Sequence, residues 1–250
     1  DDGTQDDTLN NPQAMIDMSP TWSRDGKTLY FARSNLEAKT GTSIYRIAAT
    51  GGTPQSLVRV SEMPGAILTP IIELDNGDLI YSVLSSDIDH PSNGIWRMTA
   101  DGKNPEQLIQ KLDDGGLPVL LNAKGTQAVI MSSSAGNFAI TKSPFYLLDL
   151  ATKTVKPIQQ QESALIVTAA TLSPDGAKLL YAQGNSSKAT TLTMRNLADG
   201  TEREFTPFEQ LDYIIVGSNS LGRALYWSSS NLIFGTAQGK FGVLVQLKTP

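Results

Sequence analysis

Five carboxylates stand at matching places in this chain: Asp17, Glu62, Asp114, Glu162 and Asp212, each just ahead of a short apolar segment. Asp113, beside Asp114, could fill the third place equally well. Carboxylates gathered around one opening focus negative potential there and attract a cation or a basic peptide segment. Carboxylate oxygens suit Ca2+, and Asp87-Ile88-Asp89 offers more of them. That stretch lacks the spaced acids and the glycine of a calcium loop. The chain has one histidine, His90, so a zinc site needing two or three histidines cannot be built. His90 lies between Asp89 and Pro91 and is expected to be a solvent-exposed loop residue. A Ser-His-Asp triad would need a nucleophile elbow; the nearest string, Gly217-Ser218-Asn219-Ser220-Leu221-Gly222, does not fit G-x-S-x-G. Zero cysteines remove thiol catalysis, disulfides and cysteine-ligated metals together.

What must position these groups is a repeated phrase. Glycines at 26, 77, 125, 176 and 222 each sit in a small turn leading into an apolar strand, at intervals of 51, 48, 51 and 46 residues. Second turns follow at Gly51-Gly52, Asp101-Gly102, Thr152-Lys153, Asp199-Gly200 and Gln238-Gly239. A period in the forties to fifties with only strand-like segments between turns predicts an all-β fold, a β-propeller of four-stranded antiparallel blades. Five blades can be read, at about 14–60, 61–111, 112–160, 161–207 and 208–250, within a single domain spanning 14–250. Residues 1–13 are too polar for a blade and read as a tail or a closing segment. A six-bladed ring with one cryptic blade is the alternative.

One repeat shows the logic. Residues 17–23 read as the inner strand, and Asp25-Gly26 supplies the positive φ of a tight hairpin. Thr28 to Ala32 is the second strand, and alternating Ser43 to Ala48 the third. Gly51-Gly52 turns the chain into an outer strand at 54–58. The fifth copy is compressed, with strands expected at 213–216, 224–227, 232–234 and 243–245. The aromatics Trp22, Tyr30, Phe31, Tyr45, Tyr81, Trp96, Tyr181, Tyr226 and Trp227 fall on strand positions and are expected to pack between blades. The inner segments at 70–72, 118–121, 167–171 and 214–216 are neutral. That counts against the paired acids of a glycoside hydrolase.

The residues Ser19-Pro20-Thr21-Trp22-Ser23-Arg24-Asp25-Gly26, followed by Ile44-Tyr45-Arg46 and Gly51-Gly52, resemble the repeat of TolB-like (WD40-like, PD40) propellers. The second copy keeps Gly94-Ile95-Trp96-Arg97-Met98 and Asp101-Gly102, and the fourth keeps Leu172-Ser173-Pro174-Asp175-Gly176. The third and fifth depart from the pattern, with Lys124-Gly125 and Leu221-Gly222 at the first turn. The resemblance implies the fold over nearly the whole chain but no single activity, since such repeats occur in translocation proteins, peptidase propellers and carbohydrate lyases. TolB-like propellers usually have six blades and TolB itself an N-terminal α/β domain, neither of which this sequence displays.

A net charge of −5 without clustered lysines and arginines argues against a nucleic-acid partner. No apolar run approaches the length of a membrane span. The lack of cysteine, with a chain that begins without methionine, leads to an expectation of export to the periplasm or beyond the cell. Residues 35–42, 85–93, 132–143 and 183–190 join second to third strands and form a polar loop face. Carrying Lys39, Lys142 and Lys188, this face reads as less acidic than a channel mouth placed opposite it. The expected function is a non-catalytic protein- or peptide-binding or scaffolding module, acting at the channel mouth or the loop face. No cofactor is expected, with a channel-bound cation such as Ca2+ as the alternative. The alternatives are a carbohydrate-active lyase or hydrolase on the same fold, and the propeller of a larger peptidase.

Overall fold

The turn residues act as the spacing suggests. In the first repeat Ser23 Oγ donates to Asp25 Oδ1 at 2.7 Å, while the N–H groups of Lys27 and Thr28 donate to Asp25 Oδ1 and Ser23 Oγ. The fourth repeat reproduces this with Ser173, Asp175, Ala177 and Lys178. Gly26 and Gly176 take φ of 69° and 72°, the left-handed region that a side chain resists. The exposed Asp25 and Asp175 carboxyls are both held below the usual carboxylate range, by the Lys27 N–H in one and the Ser173 hydroxyl in the other.

In the computed structural model, the described residues are 15–35, 40–59, 67–68, 71–85, 87–133, 145–158, 166–185, 188–205, 214–215, 225–227, 231–238 and 241–248. They contain strands and no helix. Successive strands pair antiparallel into five sheets, broadly one per repeat, which is the construction of a β-propeller. The first sheet is β1 (Met15–Trp22), β2 (Thr28–Asn35), β3 (Thr40–Ala48) and β4 (Gln55–Arg59). The second comprises β5 (Ile67–Leu68), β6 (Ile72–Glu73), β7 (Leu79–Leu84), β8 (Gly94–Met98) and β9 (Glu106–Ile109), with β5 and β6 both on β7. The third runs β10 (Leu117–Lys124), β11 (Gln127–Ser133), β12 (Phe145–Asp149) and β13 (Val155–Ile158). The fourth holds β14 (Ile166–Leu172), β15 (Lys178–Asn185), β16 (Lys188–Asn196), β17 (Glu202–Phe205) and β18 (Ile214–Ile215). The fifth is β19 (Leu225–Trp227), β20 (Asn231–Gln238) and β21 (Phe241–Lys248).

The fifth sheet departs from the sequence reading. Residues 213–216 were expected to open it, yet Ile214 and Ile215 pair with Ala189 and Lys188 of β16. β17 bonds β16 only over Leu192 to Arg195, so the first residues of β16 leave backbone groups that β18 satisfies. Among the described residues the fifth sheet has three strands.

The first strand of each of the first four sheets slips by one residue against its neighbour. The slip falls between Met18 and Thr21, between Leu120 and Asn122, and between Val167 and Ala169. In the second sheet it falls between β5 and β6. A bulge bends the strand and redirects its side chains. In the first sheet it places Ser19 at a φ of 55°.

Two compact units emerge, residues 1–107 and 108–250. The first unit is cored by Tyr30, Ala32 and Ile44 from the first sheet against Ile71, Leu79, Tyr81, Val83 and Met98 from the second. Two polar contacts reinforce that packing. The Arg24 N–H donates to Glu73 at 2.6 Å, and Arg46 reaches the carbonyl of Ala100 at 3.3 Å. Arg24 also pairs with Asp75. The second unit buries Val119, Leu120, Val129, Ile130, Leu148, Leu179, Leu180 and Leu192. There Asn122 Nδ2 donates to Thr171 Oγ1 at 2.8 Å, joining the third and fourth sheets. The aromatics behave as expected at Tyr30, Phe31, Tyr81 and Tyr181, all buried. Trp22 does not: it ends β1 beside the hairpin turn and is 56% exposed.

A clasp recurs that the sequence reading missed. Arg46 of β3 donates to Gln55 of β4, Arg97 of β8 to Glu106 of β9, and Arg195 of β16 to Glu202 of β17. Each ties the third strand of its sheet to the outer strand. Arginine five residues before the second-turn Gly51, Gly102 or Gly200 was the available signal. The third sheet has Leu148 opposite Val155 at this place.

Candidate functional site

An antiparallel sheet fixes which connections share an end. Met15 opens β1 opposite Asn35, which closes β2; Leu117 opens β10 opposite Ser133, which closes β11. The segment entering each first strand therefore lies at the same end as the loop leaving the second. This corrects the sequence reading, which put the acidic mouth and the polar loops on opposite faces. Asp114, ahead of β10, and the end of β11 that runs into the polar loop thus belong to one end of the third sheet.

The third sheet shows this by direct contact. Asp114 accepts from the N–H of Gly116 at 2.9 Å and from the Tyr146 hydroxyl at 3.0 Å, and it also bonds Ser132. Ser132 and Tyr146 lie next to last in β11 and second in β12, at the ends of those strands that the connecting loop joins. Partial burial opposes ionisation of Asp114, but the bonds from Gly116, Ser132 and Tyr146 outweigh it and hold the carboxyl below its usual range. Burial and the Asp114 carboxylate push the Tyr146 hydroxyl up to about 12. A Cβ at Gly116 would fall 1.9 Å from Ser132 Oγ, so a side chain there would have to displace the Ser132 hydroxyl.

In the first sheet Asp17 lies inside β1, opposite Arg33. Its two oxygens take both Nε and Nη2 of Arg33, at 2.6 and 2.7 Å. The guanidinium covers the stacked rings of Phe31 and Tyr45, 5.2 and 5.1 Å from their centroids. The Asp17 bond raises the Arg33 pKa beyond its ordinary value. The Arg33 side chain is 12% exposed and that of Asp17 32%. Asp17→Asn should therefore leave a largely covered cation short of its partner and lower stability by about 1–3 kcal/mol. Urea unfolding would measure it; an unchanged midpoint would mean that Arg33 finds water instead.

Asp17 and Asp114 thus lie in different units, each engaged locally. Glu62, Glu162 and Asp212 lie outside the described residues, as do Lys39 and Lys142. Of the four polar loops, 85–93 is the one described almost throughout. It is built on Asn93, fully buried at 0% exposure. Asn93 Oδ1 accepts the Ser85 N–H at 2.7 Å, and its Nδ2 donates to the Asp87 carbonyl at 2.7 Å. The N–H groups of Asp87 and Asp89 donate to Ser85 Oγ and Asp87 Oδ1. From β8 the Trp96 indole donates to the Ser92 carbonyl at 2.8 Å. From β9 the Gln107 amide donates to the carbonyls of Pro91 and Asn93, at 2.9 and 2.8 Å. Asp87 and Asp89 are exposed and Ile88 is half-buried. His90, expected exposed, is half-buried, because its Nδ1 turns back to accept the Ser92 N–H at 3.2 Å.

The bonds described for the His90 ring engage a main-chain amide and no carboxylate. Among the described residues no group of three or more histidines and acids is placed to hold a metal ion. No helix among them is long and apolar enough to cross a membrane. What the arrangement offers chemically is a stiff polar loop with outward carboxylates.

No family model and no curated protein matches this chain. Solved structures do. An oligogalacturonate lyase in complex with manganese superposes with a TM-score of 0.64 at 12% identity, over 96% of this chain and 67% of that one. A nidogen/laminin complex gives 0.62 at 13%, over 94% and 77%. A TolB-type protein from Agrobacterium tumefaciens gives 0.56 at 11%, over 94% and 77%. Identities this low speak to fold alone. On that evidence, and on one antiparallel sheet per repeat, the chain has a TolB-like β-propeller fold.

Proposed function

We propose that this chain is a non-catalytic binding module, exported to the periplasm or the cell exterior. It docks a protein or peptide with a basic segment at the sheet end carrying the 85–93 loop. The observation behind this reading is the locking of that loop by Asn93, Trp96 and Gln107. A surface already ordered loses little conformational entropy on docking. Its exposed Asp87 and Asp89 supply the charge that attracts such a segment. A nidogen/laminin complex among the similar structures indicates that the fold serves in protein assemblies.

The test is affinity capture from an envelope extract of the source organism at low and high salt. The parent is run beside the double variant Asp87→Asn, Asp89→Asn. Asparagine at 87 keeps the Oδ1 that accepts the Asp89 N–H. The expected result is a discrete partner held at low salt, released at high salt and lost by the variant. A partner held equally by both proteins, or none at all, would overturn the reading.

A further inference from the structure

We infer that the 85–93 loop is a proton-operated element whose setting is controlled by His90. The argument starts from which ring atom does the bonding. Because Nδ1 accepts the Ser92 N–H, the ring in this arrangement is neutral and carries its proton on Nε2. An imidazolium has no acceptor lone pair. Charging the ring sets a hydrogen on Nδ1 against the Ser92 N–H, and that bond is lost.

Ser92 is a junction of the loop. Its carbonyl holds the Trp96 indole, and the carbonyls on either side, of Pro91 and Asn93, hold the Gln107 amide. The His90 N–H donates to the Asp87 carbonyl, and the Asn93 N–H to that of His90. Displacing Ser92 therefore disturbs the contacts with β8 and β9. The acids of its own loop are Asp87 and Asp89, and the Asp87 carboxylate already accepts the Asp89 N–H. The charged groups on the strands clasping the loop are Arg97 of β8 and Glu106 of β9, bonded to each other at 2.5 Å. Two settings result. A neutral His90 accepts from Ser92 and keeps the turn closed; a charged His90 cannot accept and releases Ser92. Resting on the docking reading above, acid both neutralises loop charge and loosens the docking surface, so it weakens a basic partner.

One histidine in 250 residues makes the test clean. In nitrogen-labelled protein taken from about pH 7.5 to about pH 5.5, the range in which histidines charge, the Ser92 amide and Trp96 indole signals should move together with the His90 ring resonances. The protection of the Ser92 amide, its exchange rate relative to that of an unstructured amide at the same pH, should fall roughly three- to tenfold, the effect of losing one ordinary hydrogen bond. In His90→Asn the side-chain oxygen can still accept the N–H two residues on, so both signals should stay at their neutral-pH positions throughout. In His90→Lys, which cannot accept, they should take acid-like positions already at about pH 7.5. Signals that stand still while the ring titrates, or a pH response that persists in His90→Asn, would overturn the inference. Because these readouts need no partner, they can fail while the docking reading holds, and the reverse.

Discussion

Leu79→Ala should lower the unfolding free energy by about 2–5 kcal/mol, the range for deleting a fully buried leucine side chain. Leu79 opens β7, is 0% exposed, and belongs to the cluster that joins the first and second sheets. Every residue of β7 is buried, so both faces of this strand are covered and little can collapse into the vacated space. In a protein of this size the loss corresponds to a fall in Tm of roughly 10 °C. Thermal melts of parent and variant would decide it. A shift under about 2 °C would mean that Tyr81 and Met98 relax into the cavity and the two sheets are less firmly packed than their burial suggests.

The second large effect is expected at a turn. Gly102 lies between β8 and β9 with a φ of 82°, and a Cβ there would stand 2.4 Å from the carbonyl oxygen of Leu57 in β4. Backbone cannot yield as a side-chain tip does. Gly102→Ala should therefore cost roughly 2–4 kcal/mol, the left-handed penalty plus the overpacking. Gly77, at a φ of 86° in the β6–β7 turn, has nothing within 4 Å of such a Cβ. Gly77→Ala should cost about 1–2 kcal/mol, the conformational penalty alone. Denaturant unfolding of the pair separates the two causes. Equal losses would show that the approach of this turn to β4 contributes nothing.

These effects bear on how functional variants are read. Asp17 is part of the Arg33 anchor, and Asp114 organises Gly116, Ser132 and Tyr146. Loss of binding in variants of either would mix stability with recognition. Asp87 and Asp89 are exposed, and asparagine at 87 preserves the oxygen that accepts the Asp89 N–H.

Much of this architecture was legible in the chain itself. Turn glycines recurring at nearly constant intervals, with Asp or Asn beside several of them, dictate where strands reverse, because few other residues accept the left-handed backbone of a tight turn. Alternation in stretches such as Ser43 to Ala48 marks faces. Together they determined an all-β repeat and its propeller class, and the absence of cysteine and of a second histidine excluded whole chemistries. Sequence could not say which ends of the strands come together, since that follows from the pairing of β1 with β2 and β10 with β11. The acid rim and the polar loops were consequently assigned to opposite faces. Nor could it reveal the slipped first strands. The residues at the slips, Ser19-Pro20, Leu121 and Thr168, share no type, and a bulge arises from the register of two strands rather than from either one. The pairing of Ile214–Ile215 with β16 was decided by backbone groups that β17 leaves unbonded, a demand created only once the fourth sheet has formed. The same holds for Asp17. As a residue it is a free carboxylate, and only the register that sets it across from Arg33 makes it an anchor.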